Sequence, residues 1–208
     1  MGKRVVMLDL TAGEMGSQGD ATLREEEAAA AAKALGVTVR ENLGLPDAYL
    51  SHDHQTRAAI AQKIRDHKPE LVILPHWEQR HPDHRICSEV GYDACFYAGL
   101  KHAKLEGEPH RPRKIIYAIY YGLVEPNIAV DISNHFEQKI AAIKCYKSQF
   151  PVEGRGNKVF VPGIDVFEFV RARDSVLGMK LRVDYAEGYI QKEIIGVDHP
   201  LDLKGFSI

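Results

Sequence analysis

Along most of this 208-residue chain, short apolar runs of strand length alternate with longer stretches of helical spacing. That alternation constrains the fold most. A strand, a helix and a further strand close as a βαβ unit with parallel strands and helices on both faces. Strands are expected at Arg4–Leu10, Val37–Leu43, Leu71–Pro75, Lys114–Tyr121 and Ile128–Ile132. Helices are expected at Thr22–Leu35, Gln55–His67, Ile86–Leu100, from Ser133 to about Ser148, and from Gly163 or Asp165 to about Leu181. Thr22 and Glu25 have capping-box spacing, and Ser133 stands as a cap for its helix. Phe150 to Pro162 reads as a polar loop, and the tail after Asp184 has no clear pattern. With no internal repeat and no linker, residues 1–208 are read as a single domain.

Hydrophobic residues make up 45% of the chain and charged residues 27%, the balance of an ordinary globular protein. The formal net charge of −2 argues against nucleic acid as a partner. No run approaches the ~20 apolar residues of a membrane span, and no signal peptide opens the chain, so a cytoplasmic protein is expected. Cys87, Cys95 and Cys145 are odd in number and lack C-x-x-C spacing, which fits small buried thiols in a reducing compartment.

The stretch richest in chemistry is His81-Pro82-Asp83-His84, preceded by Arg80. It follows the buried-strand pattern of Leu71–Pro75, and polar groups leaving the carboxyl end of such a strand sit where α/β folds hold ligands. Two imidazoles and a carboxylate there fit a metal or acid–base site: one histidine as ligand, the other as donor to substrate, Asp83 as orienting partner. The same residues fit a helix-entry turn with Asp83 as cap, because H-x-x-H alone is a weak metal signal. His52-Asp53-His54 is the other compact cluster, read either as a loop in which Asp53 caps the next helix or as a substitute ligand set. His76 and Trp77 adjoin the tetrad as pocket lining, and Glu78 is read as a nearby acid. Tyr117, Tyr120 and Tyr121 read mainly as packing, and Arg111 and Arg113 as exposed charge or as contacts to an oligomer neighbour or an anionic substrate. The glycine-rich loop Thr11–Asp20 lacks G-x-G-x-x-G spacing and a P-loop lysine, which disfavours nucleotide binding there.

Five runs in order raise the specificity: Asp9–Ser17, Leu23–Ala28, Asn42–Asp47, Arg80–His84 and Tyr146–Phe150. Together they resemble the PIG-L/LmbE family of zinc-dependent N-acetylglucosamine deacetylases over residues 4 to about 190, closest to the branch acting on N-acetylglucosaminyl malate in bacillithiol biosynthesis. The resemblance implies a Rossmann-like three-layer α/β/α domain with a mostly parallel sheet and a Zn2+ cofactor. It implies a small-molecule glucosaminide substrate and a homo-oligomer. It places a zinc ligand at His84, a catalytic imidazole at His81 with Asp83 as its partner, and a substrate contact at Arg24, with Arg80 beside the tetrad as a second.

The resemblance also carries a departure. The family opens with a strand ending in A-H-P-D-D, which supplies two zinc ligands and the general base, and this sequence has no such motif. The expectation is that roughly 30 residues, one βα unit, precede the family's second strand and are absent here. Two accounts follow. Either an upstream segment completes an ordinary zinc deacetylase, or the chain is a catalytically incomplete member that binds a sugar ligand or partner.

Overall fold

The computed structural model describes residues 2–16, 18–120, 124–150 and 165–203. Among the described residues, six strands and five helices follow in the order β1 (Val6–Asp9), α1 (Ala21–Leu35), β2 (Val39–Asn42), α2 (His54–His67), β3 (Leu71–Pro75), α3 (Pro82–Ala98), β4 (Lys114–Ala118), β5 (Ile128–Asp131), α4 (Phe136–Lys144), α5 (Val166–Leu181) and β6 (Ala186–Ile190). The result is a mixed α/β fold, as the alternation predicts. β1 pairs in parallel with β2, and β3 in parallel with β4. β6 runs antiparallel between β4 and β5, giving the order β3-β4-β6-β5.

Leu8 of β1 and Val72 of β3 pack against one cluster of α2 and α3 side chains, built on Ile60, Ala61, Ile64, Val90 and Ala94. The strands themselves are not hydrogen-bonded to each other, so β1 and β3 each keep one edge without a strand partner among the described residues. On the face of β3 opposite α3, Leu71 and Ile73 are 44% and 51% exposed. A second cluster, Phe136, Ile140, Val166 and Val170, joins α4 to α5.

Several boundaries differ from expectation for local reasons. α1 is capped by Asp20, whose side chain accepts from the Leu23 amide, rather than by a Thr22–Glu25 box. Thr22 is thereby the second helical residue. Asp53 and Asp165 do cap α2 and α5. Ser133 does not cap a helix. Its hydroxyl donates to Asp131 and starts a short 3-10 turn that leads into α4 at Phe136. β6 lies in the tail that shows no strand pattern. Its Gly188 gives no propensity signal, and it is glycine because a Cβ there would stand 2.9 Å from Pro126. The expected loop at 151–162 and Tyr121 lie outside the described residues.

α3 carries the main correction. It starts at Pro82, within the tetrad, instead of near Arg85. Proline is pre-organised for the first helical position, where its missing N–H costs nothing. Gly91 sets the helix close over its strand, since a Cβ there would meet Leu74 at 2.7 Å. That contact places the first turn of α3 just beyond the carboxyl end of β3.

Candidate active site

The tetrad forms the N-terminal turn of α3. His81 is the N-cap, and its Nδ1 accepts from the Asp83 amide at 3.2 Å. An imidazole that accepts at Nδ1 carries its proton at Nε2, so His81 presents an N–H donor outward. Asp83 is buried in the first turn, where a carboxylate is favoured by the helix dipole. Its Oδ2 accepts from the Ala48 amide at 2.7 Å. The expected aspartate–imidazole hydrogen bond is therefore replaced by an aspartate–backbone one, and Asp83 reaches His81 through its amide.

The His81 and His84 rings face each other at 5.2 Å, and His84 meets the Tyr120 ring at 5.8 Å. Burial first, and then the neighbouring His81, hold the His84 imidazole below its ordinary pKa. It is thus neutral at neutral pH, the form that offers a lone pair. Its Nδ1 is buried with no hydrogen-bond partner among the described residues, as are Nε2 of His76 and both side-chain polar atoms of Gln79. His76 accepts from the Glu78 amide, and its ring lies 4.0 Å from Trp77.

Two further loops are tied to this turn. Asp47 accepts from the Met15 amide at 3.0 Å and from the Thr11 hydroxyl at 3.3 Å, while its own amide donates to Glu14 at 2.8 Å. The next residue, Ala48, has a φ of 65°, a left-handed conformation that aims its N–H at Asp83. The glycine-rich loop after β1, the Leu45-Pro46-Asp47 turn and the tetrad are therefore one connected junction. Arg24, one turn into α1, lies over the first loop: a Cβ at Gly13, whose φ is 70°, would stand 2.9 Å from the guanidinium. No carboxylate among the described residues pairs with Arg24. Arg80 is exposed next to the tetrad.

The motif Tyr146–Phe150 packs under the same loops. Arg40 grips Asp9 through two bonds of 2.6 and 3.0 Å and donates to the Tyr146 hydroxyl at 3.0 Å. Ser148 donates twice to the buried Glu27, and Gln149 donates to the Gln18 carbonyl. These contacts position the junction.

A zinc site is only partly provided for. Catalytic zinc takes three protein ligands, and among the described residues no three His, Cys, Asp or Glu side chains converge. His84 has a neutral imidazole with a buried, unpartnered Nδ1, as a ligand would, but Asp83 is committed to Ala48. The His52-Asp53-His54 cluster supplies no substitute set: His52 bonds Asp93 at 2.9 Å, Asp53 caps α2 and His54 packs edge-on against Tyr97. Two further ligands would have to come from outside the described residues. Burial pushes the Cys87 and Cys95 thiols up to about 12.

Asp47 and Glu14 are indistinguishable from turn residues by propensity. Their one signal in the sequence is membership of the Asp9–Ser17 and Asn42–Asp47 runs.

The sequence profile of the PIG-L family, described as GlcNAc-PI de-N-acetylase, matches residues 1–95, a stretch that contains the whole junction. Diacetylchitobiose deacetylase of Thermococcus kodakarensis is 34% identical over 163 residues, covering 71% of this chain and 60% of that protein. The crystal structure of a conserved protein from Thermus thermophilus, TT1542, superposes with a TM-score of 0.85 at 36% identity, over 95% of this chain and 86% of that one. N,N'-diacetylchitobiose deacetylase from Pyrococcus horikoshii gives a TM-score of 0.74 at 26% identity, over 89% and 72%. Over residues 1–95 the chain is thus similar to the PIG-L family. It spans 60% of the length of the Thermococcus deacetylase.

Proposed function

We propose that this protein is an N-deacetylase that hydrolyses the acetamide of an N-acetylglucosaminide, with N-acetylglucosaminyl malate of bacillithiol biosynthesis as the substrate. The observation that carries this reading is the junction held by the 2.7 Å Asp83–Ala48 bond, which brings the tetrad and two further motif loops to one place. The 34% identical Thermococcus relative, named a diacetylchitobiose deacetylase, supports the reaction class.

His81 is assigned the proton-donating role. Its Nε2–H faces outward and can stabilise the oxyanion of a tetrahedral intermediate, then protonate the departing amine. Asp83 fixes the His81 tautomer through its amide and holds the turn through its carboxylate. His84 is assigned as the one zinc ligand among the described residues. Arg24, with Arg80 beside the tetrad, binds the substrate's anionic end, since a guanidinium forks a carboxylate such as that of malate. Residues 1–208 are taken as one domain of a cytoplasmic homo-oligomer, and no helix among the described residues is long and apolar enough to cross a membrane.

A second reading rests on one observation, the absence of a converging three-ligand group among the described residues. On it, the chain binds a glucosaminide without turning it over. Zinc content measured together with acetate release from N-acetylglucosaminyl malate and from diacetylchitobiose tests both. About one zinc per chain with faster release from the malate conjugate supports the deacetylase. Saturable binding of the conjugate with no acetate release supports the second reading.

A further inference from the structure

A cleft of about 720 Å³ lies along the second half of α3, between the start of β4 and the segment that follows β6. Lys114 opens β4 and pairs with Leu71, the first residue of β3, so the cleft sits at the opposite end of the strands from the tetrad. Four cations line it: Arg57 from α2, Arg111 and Arg113 on either side of Pro112, and Lys114. None of them forms an ion pair among the described residues. Of the two acids in the lining, Asp93 is already bonded to His52 at 2.9 Å, and the other is Glu193. The lining thus carries four cations against two acids.

Two guanidinium groups are stacked on rings. Arg57 lies 5.3 Å from the Tyr97 centroid and Arg111 4.6 Å from that of Phe96. A guanidinium over a ring can still turn an N–H edge to an oxyanion; here Arg57 also reaches His54 Nδ1 at 3.4 Å and Arg111 donates to the Phe96 carbonyl at 3.5 Å. Nε of Arg57 is buried and has no hydrogen-bond partner among the described residues. Between the cations, Phe96 is 57% and Tyr92 41% exposed, with Ile115 and Ile194 along the same wall. A bare polyanion would leave these apolar surfaces in water. An extended chain would need a longer groove, whereas the volume is that of a small-molecule pocket.

We propose that this cleft binds a small phosphorylated ligand carrying a flat ring, of the nucleoside-phosphate class. The phosphates meet Arg111, Arg113 and Lys114, and the ring lies against Tyr92 and Phe96. This site is separate from the deacetylase junction and stands or falls independently of it.

Titration calorimetry of the full chain with ADP at low salt tests it, with pyrophosphate and adenosine as the two halves of the probe. ADP should bind, each half should bind at least ~10-fold more weakly, and affinity should fall with added salt. Arg113→Gln should weaken ADP by ~10-fold, the loss of one charge-assisted contact. Phe96→Ser, at a more exposed position, should weaken ADP and leave pyrophosphate unchanged. Melting curves confirm that each variant is folded. No heat from ADP at ~1 mM overturns the proposal. So does unchanged affinity in both folded variants, pyrophosphate binding as tightly as ADP, or displacement of ADP by an equimolar acidic peptide or oligonucleotide.

Discussion

The carboxylate of Asp83 accepts a 2.7 Å hydrogen bond from the amide of Ala48, joining the first turn of α3 to a turn 35 residues earlier in the chain. Ala48 holds a φ of 65° to make it. A backbone strained in this way persists only where its surroundings enforce it, and here it orders a candidate site. Asp83→Ala removes the carboxylate acceptor of this part-buried bond and should cost ~1–3 kcal/mol. Asp83→Asn keeps an acceptor and should cost less. Denaturant melts of the two variants check this, and equal losses would deny the bond its role.

The two imidazoles of the tetrad should separate by readout. His81→Ala should lower acetate release by ~10²–10³-fold, as for removal of an acid or oxyanion donor, and leave zinc content unchanged. His84→Ala should abolish zinc retention along with turnover. Metal analysis beside kinetics distinguishes them. Zinc lost from His81→Ala, or kept by His84→Ala, reverses the assignment.

Arg24 should act through the charge of the substrate. Arg24→Gln should raise KM for a malate-bearing glucosaminide by ~10–100-fold, the loss of a charge-assisted pair, and change KM for an uncharged glucosaminide little. Gly13→Ala should move in the same direction, since its Cβ would displace the guanidinium from 2.9 Å and the φ of 70° disfavours a side chain. An equal rise in KM for charged and uncharged substrates would place Arg24 outside the anion contact.

How much of this was legible in the sequence follows from the physics of each element. β3 and the helices with a regular apolar face show in periodicity. The start of α3 does not, because a polar Arg-His-Pro-Asp-His run has no face, and only the rule for proline at a first helical position points to Pro82. β6 is hidden by Gly188, which is there for the approach of Pro126. At the site, residue types and order are visible as motifs. The bonds Asp83–Ala48 and Asp47–Glu14 are not, because contacts across 35 and 33 residues depend on how the loops meet.

A further prediction concerns acid stability. Burial raises the pKa of Glu187, but Lys139 at 2.6 Å and the Tyr189 hydroxyl outweigh it, so the folded value lies below the ordinary 4.5. A depressed carboxyl contributes stability that is complete above the unfolded pKa and lost as pH falls through the folded one. Glu187→Gln should therefore melt lower than wild type at pH ~6, and the gap should close toward pH ~3. Melting temperatures across that range check the sign. A constant gap would assign the effect to packing.

The proposed deacetylase site is built on His81 and His84. Acetate release from N-acetylglucosaminyl malate by the zinc-supplemented protein, measured beside His81→Ala and His84→Ala, tests it most directly. The wild type should release acetate, and release should fall at least ~100-fold in either variant. Release that survives His84→Ala, or none from a folded wild type that binds the conjugate, would contradict it.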